Sequence, residues 1–286
     1  MKNKISVVMP VYNAGRFLRE AIESVLGQTH ENFELVIVDD CSSDNSVQIV
    51  KSFDDERIIL IENKQNTGNY PCRNRGIKQA TGEFIAVMDA DDIMVPERMD
   101  TQLLFLLNNE QYMAVGSDVF VVDENSKEKG IWSKHSNNFE EIKVRLLKDN
   151  VCTHPTLMLR SEVFKKHGIY YNEKYLYSAD YELLYQISKI GKITNIKIPL
   201  LKYRVHSGQI TAKKKNEQDL YKHQIQLKQL ERFGISAPDF EQIENHLNLV
   251  NLDKGQEWLN YLIEHTDFYD KNILLNEFCT SALLYC

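Results

Sequence analysis

Three carboxylates crowd into four residues of this 286-residue chain, in the stretch Asp89-Ala90-Asp91-Asp92. They follow an apolar run over residues 84–88 that is typical of a buried strand. Alternate residues of an extended chain point to opposite sides, so we expect Asp89 and Asp91 to share a face while Ala90 points away. Neighbouring carboxylates repel each other unless a cation lies between them. A hard divalent ion that also binds the phosphate oxygens of a substrate would fill that role.

The same tetrapeptide fits a simpler interpretation, an acidic turn at the start of a helix. Asp92 and Pro96 are residue types that favour the first positions of a helix. Acidic turns are common, so the four residues taken alone favour this simpler interpretation. The choice depends on which other polar residues the fold brings beside them.

The first hundred residues alternate between apolar and amphipathic segments. Strands that are apolar throughout and alternate with helices are typical of a parallel sheet covered on both faces. We predict strands over residues 5–9, 33–38, 58–61 and 84–88, and we expect Pro10 to end the first of them. We predict helices over residues 17–26 and 73–80, and a third helix that Ser42 and Ser43 cap and that runs through residue 50.

The carboxyl ends of these predicted strands carry polar residues. Ligands of such sheets bind at the carboxyl ends of the strands, which lie along one edge. The residues concerned are Pro10-Val11-Tyr12-Asn13, the pair Asp39-Asp40 and the acidic stretch over 89–92. We therefore expect these three segments to converge on one crevice.

The remainder of the chain is predicted to complete this domain and then to add helices. The pattern after Pro96 predicts a helix, a strand over 113–122, a surface loop over 124–138, a helix over 142–147, a strand over 155–159, a helix over 179–190 and an extended segment over 193–205. From about Asp219 onward the pattern is helical. We expect one catalytic unit over residues 1–210 and a helical extension over 211–286.

Composition and charge argue against several classes of protein. A hydrophobic fraction of 43% with 26% charged residues is ordinary for a soluble globular protein. The net charge of −7 argues against binding of nucleic acid. No segment approaches the ~18–20 continuous apolar residues of a membrane span. The five cysteines form no Cys-x-x-Cys pair, which is typical of reduced thiols, so we expect a cytoplasmic protein.

Neither a Gly-x-Gly-x-x-Gly after the first strand nor a Gly-x-x-x-x-Gly-Lys occurs, which argues against ordinary dinucleotide and P-loop enzymes. The motifs that do occur, in their order, resemble family 2 glycosyltransferases of the GT-A fold. The resemblance is strong over the first hundred residues and weaker beyond them. It is carried by Pro10-Val11-Tyr12-Asn13, residues 36–44, Asn66-Thr67-Gly68, Arg73-Asn74-Arg75-Gly76, residues 80–83 and 89–92, then His154-Pro155-Thr156, residues 179–183 and Tyr203-Arg204-Val205-His206.

The resemblance implies an α/β fold with a Rossmann-like, mixed and mainly parallel sheet flanked by helices. Residues 1–100 would form the nucleotide-sugar-binding half and 101–210 the acceptor-binding half. The donor would be a nucleotide sugar, with a UDP-sugar as the first candidate. Its contacts would be Pro10, Val11, Tyr12 on the base ring, Asp39 on the uracil N3–H, Arg73 on phosphate or ribose, and Asp89 and Ala90.

Asp89 and Asp91 correspond to the D-x-D metal motif of this family, and the resemblance adds His206 as a residue near the ion. Mn²⁺ and Mg²⁺ both suit oxygen ligands, so the sequence leaves the choice between them open. Asp40 is interpreted as structural. Arg73 and Arg75 could both reach phosphate or ribose oxygens, and one of them could equally be a surface pair partner; Arg73 is preferred for the site.

Asp180 corresponds to the aspartate of the family's general-base motif, although Ala179 stands where relatives often have Glu. The resemblance implies that Asp180 takes the proton of the acceptor hydroxyl in an inverting displacement. An aspartate in a first helical turn is also favoured by the helix dipole without any catalysis. Glu182 is the second choice for the base, and His154 either borders the acceptor pocket or packs structurally.

Two hypotheses from different classes are therefore kept. The first is a metal-dependent enzyme that transfers sugar to a saccharide or lipid-linked acceptor in polysaccharide or glycolipid assembly. The second is an inactive relative that binds nucleotide sugars, or a scaffold with a helical partner surface. A nucleotidyltransferase is disfavoured because Ala14-Gly15-Arg16 is too sparse for its glycine-rich loop. Homodimerisation through the C-terminal helices and a peripheral contact at the inner face of the membrane, suggested by Lys213-Lys214-Lys215, are further hypotheses.

Overall fold

A computed structural model describes residues 3–133, 135–209, 214–231, 269–274 and 276–277. Within these ranges the strands form one sheet with helices packed against it. The strands are β1 (Ile5–Val11), β2 (Phe33–Asp39), β3 (Ile58–Glu62), β4 (Phe84–Val87), β5 (Ile93–Met94), β6 (Tyr112–Val122), β7 (Glu128–Trp132), β8 (Met158–Arg160) and β9 (Lys192–Arg204). Their order in the sheet is β3-β2-β1-β4-β8-β6-β9-β5, and β7 pairs with β6. The prediction of a mixed, mainly parallel α/β sheet is confirmed. None of the helices in the described ranges has both the length and the apolar character needed to cross a membrane.

The N-terminal half is a parallel sheet, as predicted. Its strands pair in parallel, β1 with β2 and β4, and β2 with β3. Every residue of β2 is buried, which explains why its sequence is apolar throughout. The elements are β1 (Ile5–Val11), α1 (Leu18–Leu26), β2 (Phe33–Asp39), α2 (Ser46–Lys51), β3 (Ile58–Glu62), α3 (Asn69–Gln79) and β4 (Phe84–Val87).

The second half extends the same sheet with mixed strand directions. β6 and β9 pair in parallel, whereas β8 is antiparallel to both β4 and β6. The elements are β5 (Ile93–Met94), α4 (Arg98–Asn108), β6 (Tyr112–Val122), β7 (Glu128–Trp132), α5 (Phe139–Arg145), β8 (Met158–Arg160), α6 (Glu162–Lys165), α7 (Ala179–Ile187) and β9 (Lys192–Arg204).

The pairing of β8 with β4 joins the two halves of the sheet near the carboxyl end of β4. Ala86 of β4 lies opposite Met158 of β8. Because the two strands run in opposite directions, the 3₁₀ turn His154–Thr156 before β8 lies beyond the carboxyl end of β4. Asp89 follows that same end, so residues from both halves meet there.

Pro10 does not end the first strand, contrary to the prediction, but lies within β1 opposite Val38. The nitrogen of Pro10 points to the side of β1 on which β4 lies. The carbonyl oxygen of Val8 points to the same side and accepts from Met88 N. The pairing of β1 with β4 stops at Val8. Proline therefore removes no ladder hydrogen bond at this position.

Several other local predictions were wrong. Ser42 and Ser43 do not cap α2, which begins at Ser46 after Asn45. The predicted surface loop over 124–138 contains β7, which pairs antiparallel with β6. The predicted strand over 155–159 is a 3₁₀ turn followed by the short strand β8.

Helix α8 (Lys215–Glu231) lies in the predicted C-terminal extension, and residues 271–274 and 276–277 are also helical. Lys214, from the predicted basic run, pairs with Glu217 over 2.7 Å, and Lys213 lies outside the described residues. The rest of the extension, apart from 269–274 and 276–277, also lies outside them. The boundary at residue 210, the dimer and the membrane contact stay predictions.

Candidate active site

The three polar segments expected at the carboxyl edge follow β1, β2 and β4, which are adjacent parallel strands, so all three lie along that edge. The main-chain N–H of Asp40 donates to the carbonyl oxygen of Val11 over 2.8 Å, which joins the ends of β1 and β2. Asn13 Oδ1 accepts from Ser43 N at 2.8 Å, which holds the following loop against the end of β1. Tyr12 stands in this region with 54% of its surface exposed, so its ring is free to contact a ligand.

Asp39 and Asp40 have different surroundings although they are adjacent. Asp39 is buried, and its Oδ2 accepts from Ser42 N at 3.0 Å. Its Oδ1 is buried and has no hydrogen-bond partner among the described residues. A buried acceptor without a partner costs about 1–3 kcal/mol, so Asp39 Oδ1 is suited to receive an N–H from a ligand.

The Asp40 carboxylate is used within the protein. It accepts from Asn63 Nδ2 at 2.8 Å, from Thr67 N at 2.8 Å and from Gly68 N at 2.7 Å. Burial acts to raise its pKa, but these hydrogen bonds hold the pKa of Asp40 below its ordinary value. They fix the loop that precedes α3, which agrees with the structural interpretation of Asp40.

Arg73 of α3 is buried and forms an ion pair with Asp89. Its Nη1 also donates to the carbonyl oxygen of Met88 at 3.4 Å, so the guanidinium is held against the end of β4. Arg75, two residues later, is exposed and donates to Asn63 and to the carbonyl oxygen of Glu62. The structure thus brings Arg73, and not Arg75, to the acidic stretch.

The acidic stretch is a turn and not an extended segment, because Ala90 and Asp91 form a turn in which Asp92 N approaches the carbonyl oxygen of Asp89 at 3.4 Å. The prediction assumed an extended chain at these residues, and that assumption is wrong. The turn nevertheless brings one oxygen each of Asp89, Asp91 and Asp92 within 4.8 Å of one another. Ala90 is buried.

Asp92 was predicted to start the next helix, and this is wrong. β5 follows it, and α4 begins only at Arg98. Asp92 is buried; its Oδ1 accepts from Arg204 N at 2.9 Å and its Oδ2 has no partner among the described residues. The sequence did show a third carboxylate here, but only the turn reveals that it joins the other two.

This donor set fits a hard divalent cation. Three carboxylates in a small volume supply the oxygen ligands that Mg²⁺ and Mn²⁺ prefer. Burial, together with the charges of Asp91 and Asp89, raises the pKa of Asp92 well above its usual range, and a cation would offset that repulsion.

His206 reaches the same turn, with Nε2 at 2.9 Å from Asp91 Oδ2. Its Nδ1 accepts from Gly208 N at 3.1 Å, so Nε2 carries the proton and donates to the carboxylate. His206 therefore supports Asp91 in this arrangement. Direct ligation of a metal by Nε2 would require that proton to move.

Arg204 holds the acidic turn in place through hydrogen bonds, a role that was not predicted. It is buried, and its Nε donates to the carbonyl oxygen of Asp91 at 2.7 Å, while Nη2 donates to Glu20 at 2.7 Å. Its guanidinium lies 4.6 Å from the centre of the Phe17 ring, and that ring lies 5.0 Å from the ring of His206. The end of β9 thus fixes both Asp91 and His206.

Asp180 lies in the first turn of α7, where two donors from other segments hold it. Tyr70 OH donates to Oδ1 at 2.9 Å, and Asn150 Nδ2 donates to Oδ2 at 2.7 Å. Burial raises the pKa of Asp180 above its ordinary value, although the hydrogen bond from Tyr70 and the charge of Arg73 act against that rise. A carboxylate with raised proton affinity is suited to accept a proton. Glu182 instead accepts from Gln186 Nε2 at 2.6 Å within the same helix.

Tyr70 also connects Asp180 to a buried aromatic group. Its ring stacks on Tyr171 with the centres 5.3 Å apart, and the Tyr171 hydroxyl lies 2.8 Å from Nε2 of His154. Tyr70 and Arg73 lie one turn apart on α3, and Arg73 pairs with Asp89. The two predicted ends of the reaction site therefore contact the same helix.

The sequence model of the family described as glycosyl transferase family 2 matches residues 6–168. An uncharacterised glycosyltransferase of Methanocaldococcus jannaschii is 34% identical over 227 residues, which cover 78% of this chain and 78% of that protein. An uncharacterised glycosyltransferase of Haemophilus influenzae is 27% identical over 296 residues, which cover 98% of this chain and 89% of that protein.

The fold is also similar to that of solved structures. S. aureus TarS in complex with UDP aligns with a TM-score of 0.60 at 21% identity, covering 98% of this chain and 88% of that one. The mannosyltransferase PcManGT from Pyrobaculum calidifontis, in complex with GDP-Man and Mn²⁺, aligns with a TM-score of 0.60 at 18% identity, covering 98% and 80%. These likenesses establish the GT-A fold. Since the family model matches more than half of the chain and the archaeal relative aligns along most of both lengths, the chain belongs to glycosyl transferase family 2.

Proposed function

We propose that this glycosyltransferase uses a divalent cation and a nucleotide sugar, and that it transfers the sugar with inversion to a hydroxyl of a saccharide or lipid-linked acceptor. The observation that carries the proposal is that α3 contacts both groups: its Tyr70 donates to Asp180, and one turn later its Arg73 pairs with Asp89 of the acidic turn. A proton acceptor and a site for a diphosphate-bound cation then face one crevice.

The nucleotide would lie across the ends of β1 and β2. Asp39 Oδ1 lacks a partner, so it would accept the N3–H of uracil, and the exposed Tyr12 ring would pack on the base beside Pro10 and Val11. Arg73 would carry part of the phosphate charge while it holds Asp89. TarS with UDP supports a UDP-sugar, and PcManGT with GDP-Man makes a GDP-sugar the alternative donor.

In the chemical step, the acceptor oxygen attacks the anomeric carbon as the bond from that carbon to the diphosphate oxygen breaks. Asp180 takes the proton of the attacking hydroxyl, and the electron pair of the broken bond leaves with the diphosphate. Attack from the face opposite the diphosphate inverts the anomeric centre. Asp91, with Asp89 and Asp92, would hold the cation, and the bound cation would offset charge on the departing diphosphate.

A screen of donor hydrolysis tests this proposal. UDP-glucose, UDP-GlcNAc and GDP-mannose are incubated with Mn²⁺ and the parent protein, Asp91→Asn or Asp180→Asn. We expect one donor to be hydrolysed and both variants to be slower by at least about a hundredfold, the scale of a lost general base. An inactive scaffold predicts binding without turnover by the parent. Donor hydrolysis by Asp180→Asn at the parental rate would remove Asp180 from the mechanism.

A further inference from the structure

His154 is connected to Asp180 through Tyr171 and Tyr70, although the function described so far leaves it without a role. It begins the 3₁₀ turn before β8, beyond the carboxyl end of β4. The turn is fixed there because Val87 N donates to the carbonyl oxygen of Leu157 at 2.8 Å. The residue as a whole is half-buried.

One nitrogen of the imidazole is anchored. Nε2 lies 2.8 Å from the hydroxyl of Tyr171, and the two rings meet edge to face. Tyr171 is itself held, because Asn74 accepts from its main-chain N–H at 3.0 Å and donates to its carbonyl oxygen at 2.9 Å. The stack with Tyr70 fixes its ring. The orientation of His154 is therefore set from one side.

The other nitrogen is open. Nδ1 has no hydrogen-bond partner among the described residues, and it is not one of their buried unpartnered atoms. Burial and the nearby charge of Arg73 hold the pKa of His154 well below its ordinary value, so the ring is neutral. A neutral ring with one open nitrogen offers a single hydrogen bond to a ligand.

The surroundings indicate which ligand group this nitrogen would meet. Contacts on and around α3 join the side chains of His154, Asp89 and Asp180. Arg73 pairs with Asp89, and Tyr70, one turn earlier on the same helix, donates to Asp180. The ring stacked on Tyr70 is that of Tyr171, which binds His154. In the proposed reaction the diphosphate lies toward Asp89 and the attacking oxygen lies toward Asp180. The transferred sugar must then lie between them. Its hydroxyls both donate and accept, so they match either tautomer of a neutral imidazole.

We propose that His154 is a substrate-contacting residue whose Nδ1 binds a hydroxyl of the sugar being transferred, with Tyr171 holding the ring in place. The proposal rests on the proposed function, because it requires a nucleotide-sugar donor. A histidine that only packs against Tyr171 is the competing explanation. The two explanations assign importance to different nitrogens, and this difference makes them separable.

His154→Gln and His154→Asn separate the two nitrogens. A glutamine amide lies near the position of Nε2 and keeps the bond to Tyr171, whereas an asparagine amide lies near the position of Nδ1. Calorimetry with Mn²⁺ measures the affinity of each variant for UDP and GDP and for UDP-glucose, UDP-GlcNAc and GDP-mannose. We expect His154→Gln to bind the nucleotide diphosphate within twofold of the parent and the matching nucleotide sugar about tenfold more weakly, the scale of one lost hydrogen bond. His154→Asn should retain more of the sugar affinity.

The packing explanation predicts the reverse order, with His154→Gln equal to the parent and His154→Asn impaired, and that result would overturn the proposal. If His154→Gln does not fold, Tyr171→Phe provides the second variant. Tyr171→Phe removes the hydroxyl that holds the imidazole of His154, so it should weaken binding of the nucleotide sugar and leave binding of the nucleotide diphosphate unchanged. If this variant binds the nucleotide sugar as tightly as the parent does, the proposal is again overturned. A parent that binds no nucleotide sugar would overturn the proposed function together with this inference. An active parent matched by His154→Gln would overturn this inference alone.

Discussion

Arg204 donates from Nε to the main-chain carbonyl oxygen of Asp91 over 2.7 Å, across a separation of 113 residues. Its own main-chain N–H donates to Oδ1 of Asp92 at 2.9 Å. One residue at the end of β9 therefore holds two consecutive residues of the acidic turn. The shape of the proposed cation site depends on this residue as well as on the carboxylates themselves.

Arg204→Lys tests this dependence. Lysine keeps the charge but cannot bind Asp91, Glu20 and the turn at Ser126 at once, as the guanidinium does. Loss of a residue that orients metal ligands typically costs about 10–100-fold in metal affinity or activity. We expect the Mn²⁺ concentration for half-maximal donor hydrolysis to rise by that factor. Glu20→Gln, which changes only the half-exposed partner, should differ from the parent by less than about threefold, and equal effects of both variants would contradict this role.

Glu34 predicts a pH dependence of stability that is separate from the site. Burial acts to raise its pKa, but hydrogen bonds from Lys4, Ser6 and Thr81 lower it from 4.5 to about 2. A depressed carboxyl pKa stabilises the fold above pH 4.5, and this stabilisation is lost as the pH falls toward 2. Its size is on the order of 3 kcal/mol. Urea unfolding should show Glu34→Gln less stable by that order at pH 7, with the difference shrinking in acid. The control is Glu62→Gln, which removes the charge of an exposed glutamate paired with Lys51. It should change the free energy of unfolding by under about 1 kcal/mol.

Tyr70→Phe tests the surroundings of the proposed base. The hydroxyl of Tyr70 stabilises the ionised form of Asp180, so its removal should raise a pKa that burial has already raised. The base must be ionised to act, and activity is lost as the pH falls through its pKa. The acid limb of kcat/KM for donor transfer should therefore move to higher pH in this variant.

A matched control removes another buried hydroxyl on the same helix as Asp180. Tyr181 OH binds the carbonyl oxygen of Leu146 and accepts from Gln229 at 3.0 Å, so Tyr181→Phe should cost about 1 kcal/mol of stability. Its acid limb should stay in place, because its hydroxyl does not bind Asp180. If the acid limb of kcat/KM moves equally in both variants, or in neither, then this limb does not report the ionisation of Asp180.

The sequence was sufficient to predict the parallel half of the sheet, because buried parallel strands must be apolar along their whole length. The fully buried β2 is the clearest example. Convergence at the carboxyl edge followed from topology, and Tyr12, Asp39 and Arg73 do reach it. Pro10 misled the prediction because the cost of a proline depends on which side of the strand is paired, and only the sheet reveals that.

The parts that were missed depend on contacts between distant segments. Asp92 looked like a helix start, since no local pattern shows that Arg204 N will bind it. The bond from Asn150 to Asp180 joins a loop to α7, and the link from His154 to Tyr171 joins a 3₁₀ turn to a loop. Neither loop carries a periodic pattern in its sequence. Side-chain roles of this kind are set by tertiary packing, which sequence patterns do not record.

The inclusion of Asp92 in the cation site gives the last prediction. A ligand that binds only the folded protein stabilises it by about 2.7 kcal/mol at a hundred times its dissociation constant, so Mn²⁺ or Mg²⁺ should raise the free energy of unfolding of the parent. Asp91→Asn should abolish that gain. Asp92→Asn keeps an oxygen for Arg204 N, so it should fold, but it should lose much of the gain because a carboxylate is missing. Asp100→Asn, on an exposed carboxylate bound to Thr29, should respond as the parent does. A full metal response in Asp92→Asn would restrict Asp92 to binding Arg204 and leave the cation to Asp89 and Asp91.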